Sequence, residues 1–100
     1  MIVYNITCKV RWEIVGGWLA WQRDEHVPAT LATGFFDESR LFRLLDQEED
    51  EGPTFVIQFF TSSQERYQRF LLDCEPGLRR AAWEKWGSGY IAFRTLMESV

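Results

Sequence analysis

The chain has little of what most chemistries need: one histidine, two cysteines, three prolines and no surplus of positive charge. Cys8 and Cys74 fall at neither a disulfide-framework nor a metal-ligand spacing. Each lies on an apolar periodic face, so both read as buried, unreactive thiols. A single histidine cannot complete a Cys/His metal set. The phosphate-cradling glycine loop and the dinucleotide-binding glycine pattern are also missing, so neither metal nor cofactor is expected. A formal net charge of −4 repels a phosphate backbone and argues against nucleic acid as a partner. No apolar run approaches the roughly 20 residues of a membrane span. The amino terminus opens directly on a strand pattern, without a basic and then apolar leader. The expectation is a soluble, cytoplasmic protein.

Aromatic surface, by contrast, is plentiful. With 8 Phe and 5 Trp among 100 residues, the chain can build a core quickly, although its length allows only one domain, residues 1–100. A hydrophobic content of 46% then leaves apolar area over for a partner, and association is expected.

Read in order, Ile2 to Trp12 alternates without interruption and predicts a strand with one strongly apolar side, ended by Gly16-Gly17. Trp18 to about Leu31 has helical length and composition, with Gln22, His26, Thr30 and Arg23 on one arc. Pro28 predicts a kink or change of phase there, and Thr33-Gly34 a stop. Arg40 to Asp46 and Thr54 to Phe60 read as a hairpin around the acidic turn Glu48–Glu51 and Gly52-Pro53. Ser62 with Glu65 suggests a capping box opening a helix through Tyr67, Phe70, Leu71 and Cys74. Pro76 restarts helix to Trp86, Gly87 stops it, and Tyr90 to Glu98 is the last strand. The order β-α-β-β-α-β predicts an α+β, ferredoxin-like, four-stranded antiparallel sheet with its helices on one face.

The helix-covered face is expected to carry Ile6, Cys8, Phe42, Ile57 and Phe93. The opposite face would carry Val3, Asn5, Thr7, Leu41, Arg43, Leu45, Val56, Gln58, Phe60, Ala92, Arg94 and Leu96. That second set is too apolar for water and too polar for a dry core. A second copy would satisfy it, giving a homodimer whose sheets enclose a partly polar cavity. The plainer reading is an open sheet with scattered apolar residues.

Within such a cavity, Asn5, Arg43, Gln58 and Arg94 would supply donors to a carboxylate, phosphate or enolate oxygen. The competing reading pairs each arginine with a carboxylate such as Asp24, Glu25 or Glu98. His26 is the natural acid or base, weighed against a hydrogen-bonded structural histidine. An RNA-recognition motif shares the strand order. Here, however, Glu51-Gly52-Pro53-Thr54-Phe55-Val56-Ile57-Gln58-Phe59 starts acidic and puts proline at an aromatic position, which excludes the match.

Certain runs span the whole chain in a familiar pattern: Met1-Ile2-Val3-Tyr4-Asn5; Glu25-His26-Val27-Pro28 with Leu31-Ala32-Thr33-Gly34; Gly52-Pro53-Thr54 leading to Gln58-Phe59-Phe60; and Trp86-Gly87 through Phe93-Arg94-Thr95. In these the sequence resembles a family of small bacterial proteins of unknown function grouped with the dimeric α+β barrels. The resemblance implies a homodimer and brings no assigned activity. The wider superfamily includes cofactor-poor monooxygenases, isomerases and haem-degrading enzymes as well as sensing or structural dimers. A first-helix histidine followed by proline is similar to an arrangement in some barrel enzymes, while a lone histidine departs from haem or metal ligation. The sequence therefore predicts a homodimeric barrel binding a small anionic or oxygen-rich molecule, the alternative being a non-catalytic dimerisation or ligand-sensing module.

Overall fold

The alternating amino-terminal run forms β1 (Ile2–Val10), an inner strand hydrogen-bonded on both sides in a computed structural model that describes all 100 residues. β2 (Glu38–Arg43), β3 (Thr54–Thr61) and β4 (Tyr90–Glu98) complete an antiparallel sheet of order β2-β3-β1-β4. A helical segment joins β1 to β2 in three consecutive parts: α1 (Val15–Trp21), a π-helical turn (Gln22–His26) and α2 (Val27–Ala32). Between β3 and β4 run α3 (Gln64–Asp73) and α4 (Glu75–Trp86), followed by a 3-10 turn at Gly87–Gly89. This is the expected ferredoxin-like α+β arrangement. No helix is long and apolar enough to cross a membrane.

Local chemistry explains most of the boundaries. Ser63, not Ser62, caps α3, its Oγ accepting from the Arg66 amide at 3.3 Å, and with Arg66 where a capping box needs Glu or Gln, the cap is a simple one and the expected Ser62–Glu65 box does not form. Pro76 occupies the first turn of α4, where its missing N–H costs nothing. Gly87 ends that helix at φ +53°, a left-handed conformation that disfavours other residues. β1 ends at Val10 rather than Trp12, the chain turning there as the Ile14 amide bonds back to Arg11 O at 3.0 Å.

All helices pack on one face, over a core of Tyr4, Cys8, Val10, Phe55, Ile57 and Phe59 met by Trp18, Trp21, Phe36, Phe70 and Ala82. Register corrects the expected side for two strands. Ile6 lies opposite Ile57 and Arg94, and Ile57 lies opposite Leu41, so Leu41, Arg43, Ala92, Arg94 and Leu96 share the helix-covered face. Phe42 and Phe93 belong to the other, open face, where they are exposed with Ile91 and Met97. The error has a simple cause. Both sides of β2 and β4 are similarly apolar, and a period of two then defines the alternation without its phase. The open face nevertheless keeps the predicted mixed character, with Val3, Asn5, Thr7, Val56, Gln58 and Phe60 beside those four exposed residues.

Candidate functional site

The inner wall of the candidate site comes from the π-helical turn. Pro28 has no amide hydrogen to continue the α-helical ladder, and just before it the Val27 amide bonds to Gln22 O, five residues back. The wide turn carries Gln22 and His26 to the wall facing the sheet. Gln22 is only 2% exposed. The His26 ring stacks on Trp21, with centroids 4.3 Å apart and planes at 16°. Its Nδ1 lies 3.4 Å from Gln22 Oε1 and its Nε2 lies 3.3 Å from the Leu78 carbonyl oxygen. Burial holds the imidazole pKa below the usual histidine value, and the positive charge of Arg94 acts in the same direction against the Leu78 contact. Thr30 closes the arc by donating to the His26 carbonyl at 3.0 Å.

The sheet supplies the opposite wall. Arg94 Nε donates to the Tyr4 hydroxyl oxygen at 3.0 Å, leaving the phenol O–H and the terminal guanidinium nitrogens free to donate. Burial raises the Tyr4 pKa above that of an ordinary tyrosine despite Arg94, so the group stays a phenol. Cys8 lies deeper still, and burial pushes its thiol up to about 12, removing it as a nucleophile. Ile57, Phe59, Phe70 and Leu78 make the remaining surface apolar. The cavity opens to solvent at one end, and the space of about 490 Å³ within its outline includes solvent at the mouth. It continues past Arg79, Trp83 and Arg94 into a groove between α4 and the edge strand β4.

One charge at this mouth is uncompensated. Arg43 is held by Glu49 at 2.8 Å, Arg66 by Asp37 at 3.4 Å and Arg79 by Glu75 at 2.6 Å. Glu75 itself lines the cavity, and its pairing with Arg79 leaves Arg94 without a carboxylate of its own. An apolar cavity with a free guanidinium and a phenol at its entrance is suited to an oxyanion.

The structure thus brings together two of the five residues singled out from sequence, His26 and Arg94. Asn5 and Gln58 lie on the open face, where Gln58 Nε2 donates to Asn5 Oδ1 at 3.2 Å. Arg43 sits at the end of edge strand β2, engaged by Glu49 from the acidic turn. Tyr4, Gln22 and Glu75 went unrecognised. Only Gln22 left a signal, its shared helical arc with His26 and Thr30; in Tyr4 the strand pattern registers an apolar ring and ignores the hydroxyl. No group of three or more His, Cys, Asp or Glu side chains is placed to hold a metal ion.

Solved structures with the same fold cover nearly the whole chain at low identity. An EthD-family protein from Bacillus halodurans superposes with a TM-score of 0.74 at 15% identity, covering 100% of both chains. A dimeric ferredoxin-like protein from an uncultured marine organism gives 0.73 at 8% identity, covering 99% of this chain and 94% of its own. A mutant of SnoaB, a cofactor-independent oxygenase from Streptomyces nogalater, gives 0.67 at 13% identity, covering 98% of this chain and 91% of its own. These identities establish shared fold alone. A search of curated proteins finds no sequence relative. The family described as domain of unknown function DUF4286 matches residues 1–100, and the chain belongs to that family.

Proposed function

We propose that this protein is a homodimer whose sheets meet open face to open face, and that each protomer binds a small anionic or oxygen-rich molecule between its sheet and its helices. The observation that carries the binding is Arg94: a guanidinium at a cavity mouth, hydrogen-bonded only to Tyr4. The dimer is supported by Phe42, Ile91, Phe93 and Met97 standing exposed around the Asn5–Gln58 pair. In this reading Asn5 and Gln58 serve the interface, Arg43 braces the acidic turn, and the ligand contacts come from Arg94 and Tyr4. Among structures of the same fold, one is a dimer and another an oxygenase that works without a cofactor, so both features fit this architecture.

His26 contributes a neutral inner wall in this reading. Both its nitrogens face protein groups, so it acts as an acid or base only where the Gln22 amide moves aside. That engagement favours a ligand-binding or sensing dimer over an enzyme built on His26. Benzoate is a suitable probe, followed through the fluorescence of Trp21 beside the cavity. Arg94→Gln is expected to weaken benzoate binding at least about tenfold, the scale of one charged hydrogen bond. Equal affinity in the variant overturns the reading.

A further inference from the structure

One edge of the sheet lacks the usual protection. The β1–β4 register runs on past both strand ends, where the Arg11 amide bonds to Gly89 O at 3.1 Å and the Ser99 amide to Met1 O at 2.9 Å. Both are odd-numbered pairs, and hydrogen-bonded pairs alternate in an antiparallel ladder, so the odd residues of β4 spend their backbone groups on β1. Ala92, Arg94, Leu96 and Glu98 therefore turn their N–H and C=O groups outward along a free edge. Edge strands are normally short, charged or broken by proline. β2, at the other edge, carries Glu38, Arg40 and Arg43 within its 6 residues. From Ile91 to Met97, by contrast, Arg94 is the only charge, proline and glycine are absent, and every residue except Ala92 is exposed. Arg94 and Glu98 have opposite charge and share a face, and neither has a charged partner in its own chain.

We infer that β4 pairs with β4 of a second copy, antiparallel about a two-fold axis at Leu96, so that the two sheets become one. The axis sets Leu96 beside the partner's Leu96, and Arg94 beside the partner's Glu98 in both directions. All these residues have outward backbone groups, so each pair exchanges both of its hydrogen bonds. Charge selects the register. An axis at Arg94 brings two guanidiniums together, and one at Thr95 sets Arg94 against leucine and Glu98 against alanine. The chosen register also lays the partner's Val100, fully exposed in the protomer, opposite Ala92 in the groove beside Trp83. Arg94, Leu96 and Glu98 lie on the helix side of the sheet, which leaves the open face for the face-to-face contact. The two contacts together make a dimer of dimers. This inference goes beyond the anion-binding reading and meets it at one group. A ligand oxyanion and the partner's Glu98 compete for the Arg94 guanidinium, so the pairing belongs to the protein without ligand.

The test uses the intact protein with no carboxylic acid added. Leu96→Cys puts two thiols across the axis, where the Cα atoms of a hydrogen-bonded pair lie about 5.5 Å apart, within disulfide range. Mild oxidation is expected to trap this variant as a covalent dimer. Ala92→Cys carries the same Cys8 and Cys74 but stands about 27 Å from its mate along the strands, and it should not be trapped. A face-to-face dimer cannot produce the Leu96→Cys trap, because Leu96 points away from the open face. Sedimentation equilibrium in a Phe93→Ala background, which removes apolar area from the open face, then reads the edge contact. Arg94→Glu creates two like-charge pairs and should weaken that association about tenfold or more, while adding Glu98→Arg should restore it. The cysteine trap leaves both charges in place and decides the matter even if a charge variant does not fold. No trapping, or equal trapping of the two cysteine variants, leaves the edge to a strand from a different chain and overturns the inference. A double charge variant that associates no better than Arg94→Glu overturns it as well.

Discussion

Phe93 offers a quantitative test of the dimer. It projects from β4 on the open face with 64% of its surface exposed, outside the core cluster. Full burial of a phenylalanine side chain contributes about 1.5–3 kcal/mol, so the two-thirds still in water represents about 1–2 kcal/mol per protomer. A two-fold axis counts the residue twice, giving about 2–4 kcal/mol for the pair. Phe93→Ala should therefore weaken dimerisation by roughly 30- to 700-fold, at about 1.4 kcal/mol per factor of ten. Sedimentation equilibrium over nanomolar to millimolar protein measures this directly. Leu72→Ala is the control: the residue is as exposed as Phe93 but lies on α3, away from the open face, and its removal should leave the dimer constant unchanged. The thermal midpoint of the dissociated Phe93→Ala protomer then reports whether the fold survives. If the wild-type protein sediments as a single subunit at micromolar concentration, or if both variants dissociate alike, the reasoning fails.

Two further outcomes follow from the buried groups. His26 is held neutral in the folded protein, chiefly by burial, so its folded pKa lies below the unfolded value of about 6.5. The unfolded chain thus binds the proton more readily, and the stability His26 contributes is present above about pH 6.5 and lost as pH falls from there toward the folded pKa. Denaturant melts from pH 7.5 to 5 should show this loss in the wild-type protein and a flatter profile in His26→Gln; the same slope in both would refute the assignment. At Gly52 an added Cβ would overlap the Val10 carbonyl, the same strand end whose amide bonds to Pro53 O at 3.0 Å. Gly52→Ala should lower stability by about 1–3 kcal/mol in chemical denaturation, and an unchanged midpoint would contradict the close approach.

How far the chain could be read depended on whether neighbouring residues carried the information. β1 and α4 were legible because alternation, Pro76 and Gly87 act over a few residues. The cap of α3 slipped by one because the local pattern favours Ser62, which has Glu65 three residues on, whereas backbone geometry selects Ser63, whose Oγ reaches the Arg66 amide. Of the residues expected on one arc, Gln22, His26 and Thr30 do share the cavity wall, since helical spacing brings them together before any tertiary contact forms, whereas Arg23 stays exposed outside it. The partner of Arg43 was missed because Glu49 reaches it only when the acidic turn folds back on β2.

The order of elements, the ferredoxin-like topology and the presence of a half-apolar, half-polar sheet face were written in the amino acids, because periodicity and turn chemistry are local. Which face each edge strand turns to the helices was decided by cross-strand register alone, since β2 and β4 carry similar residues on both sides. That choice moved Arg94 from the open face to the cavity and left Asn5 and Gln58 behind. Pairing distances set it, and a strand considered by itself contains none.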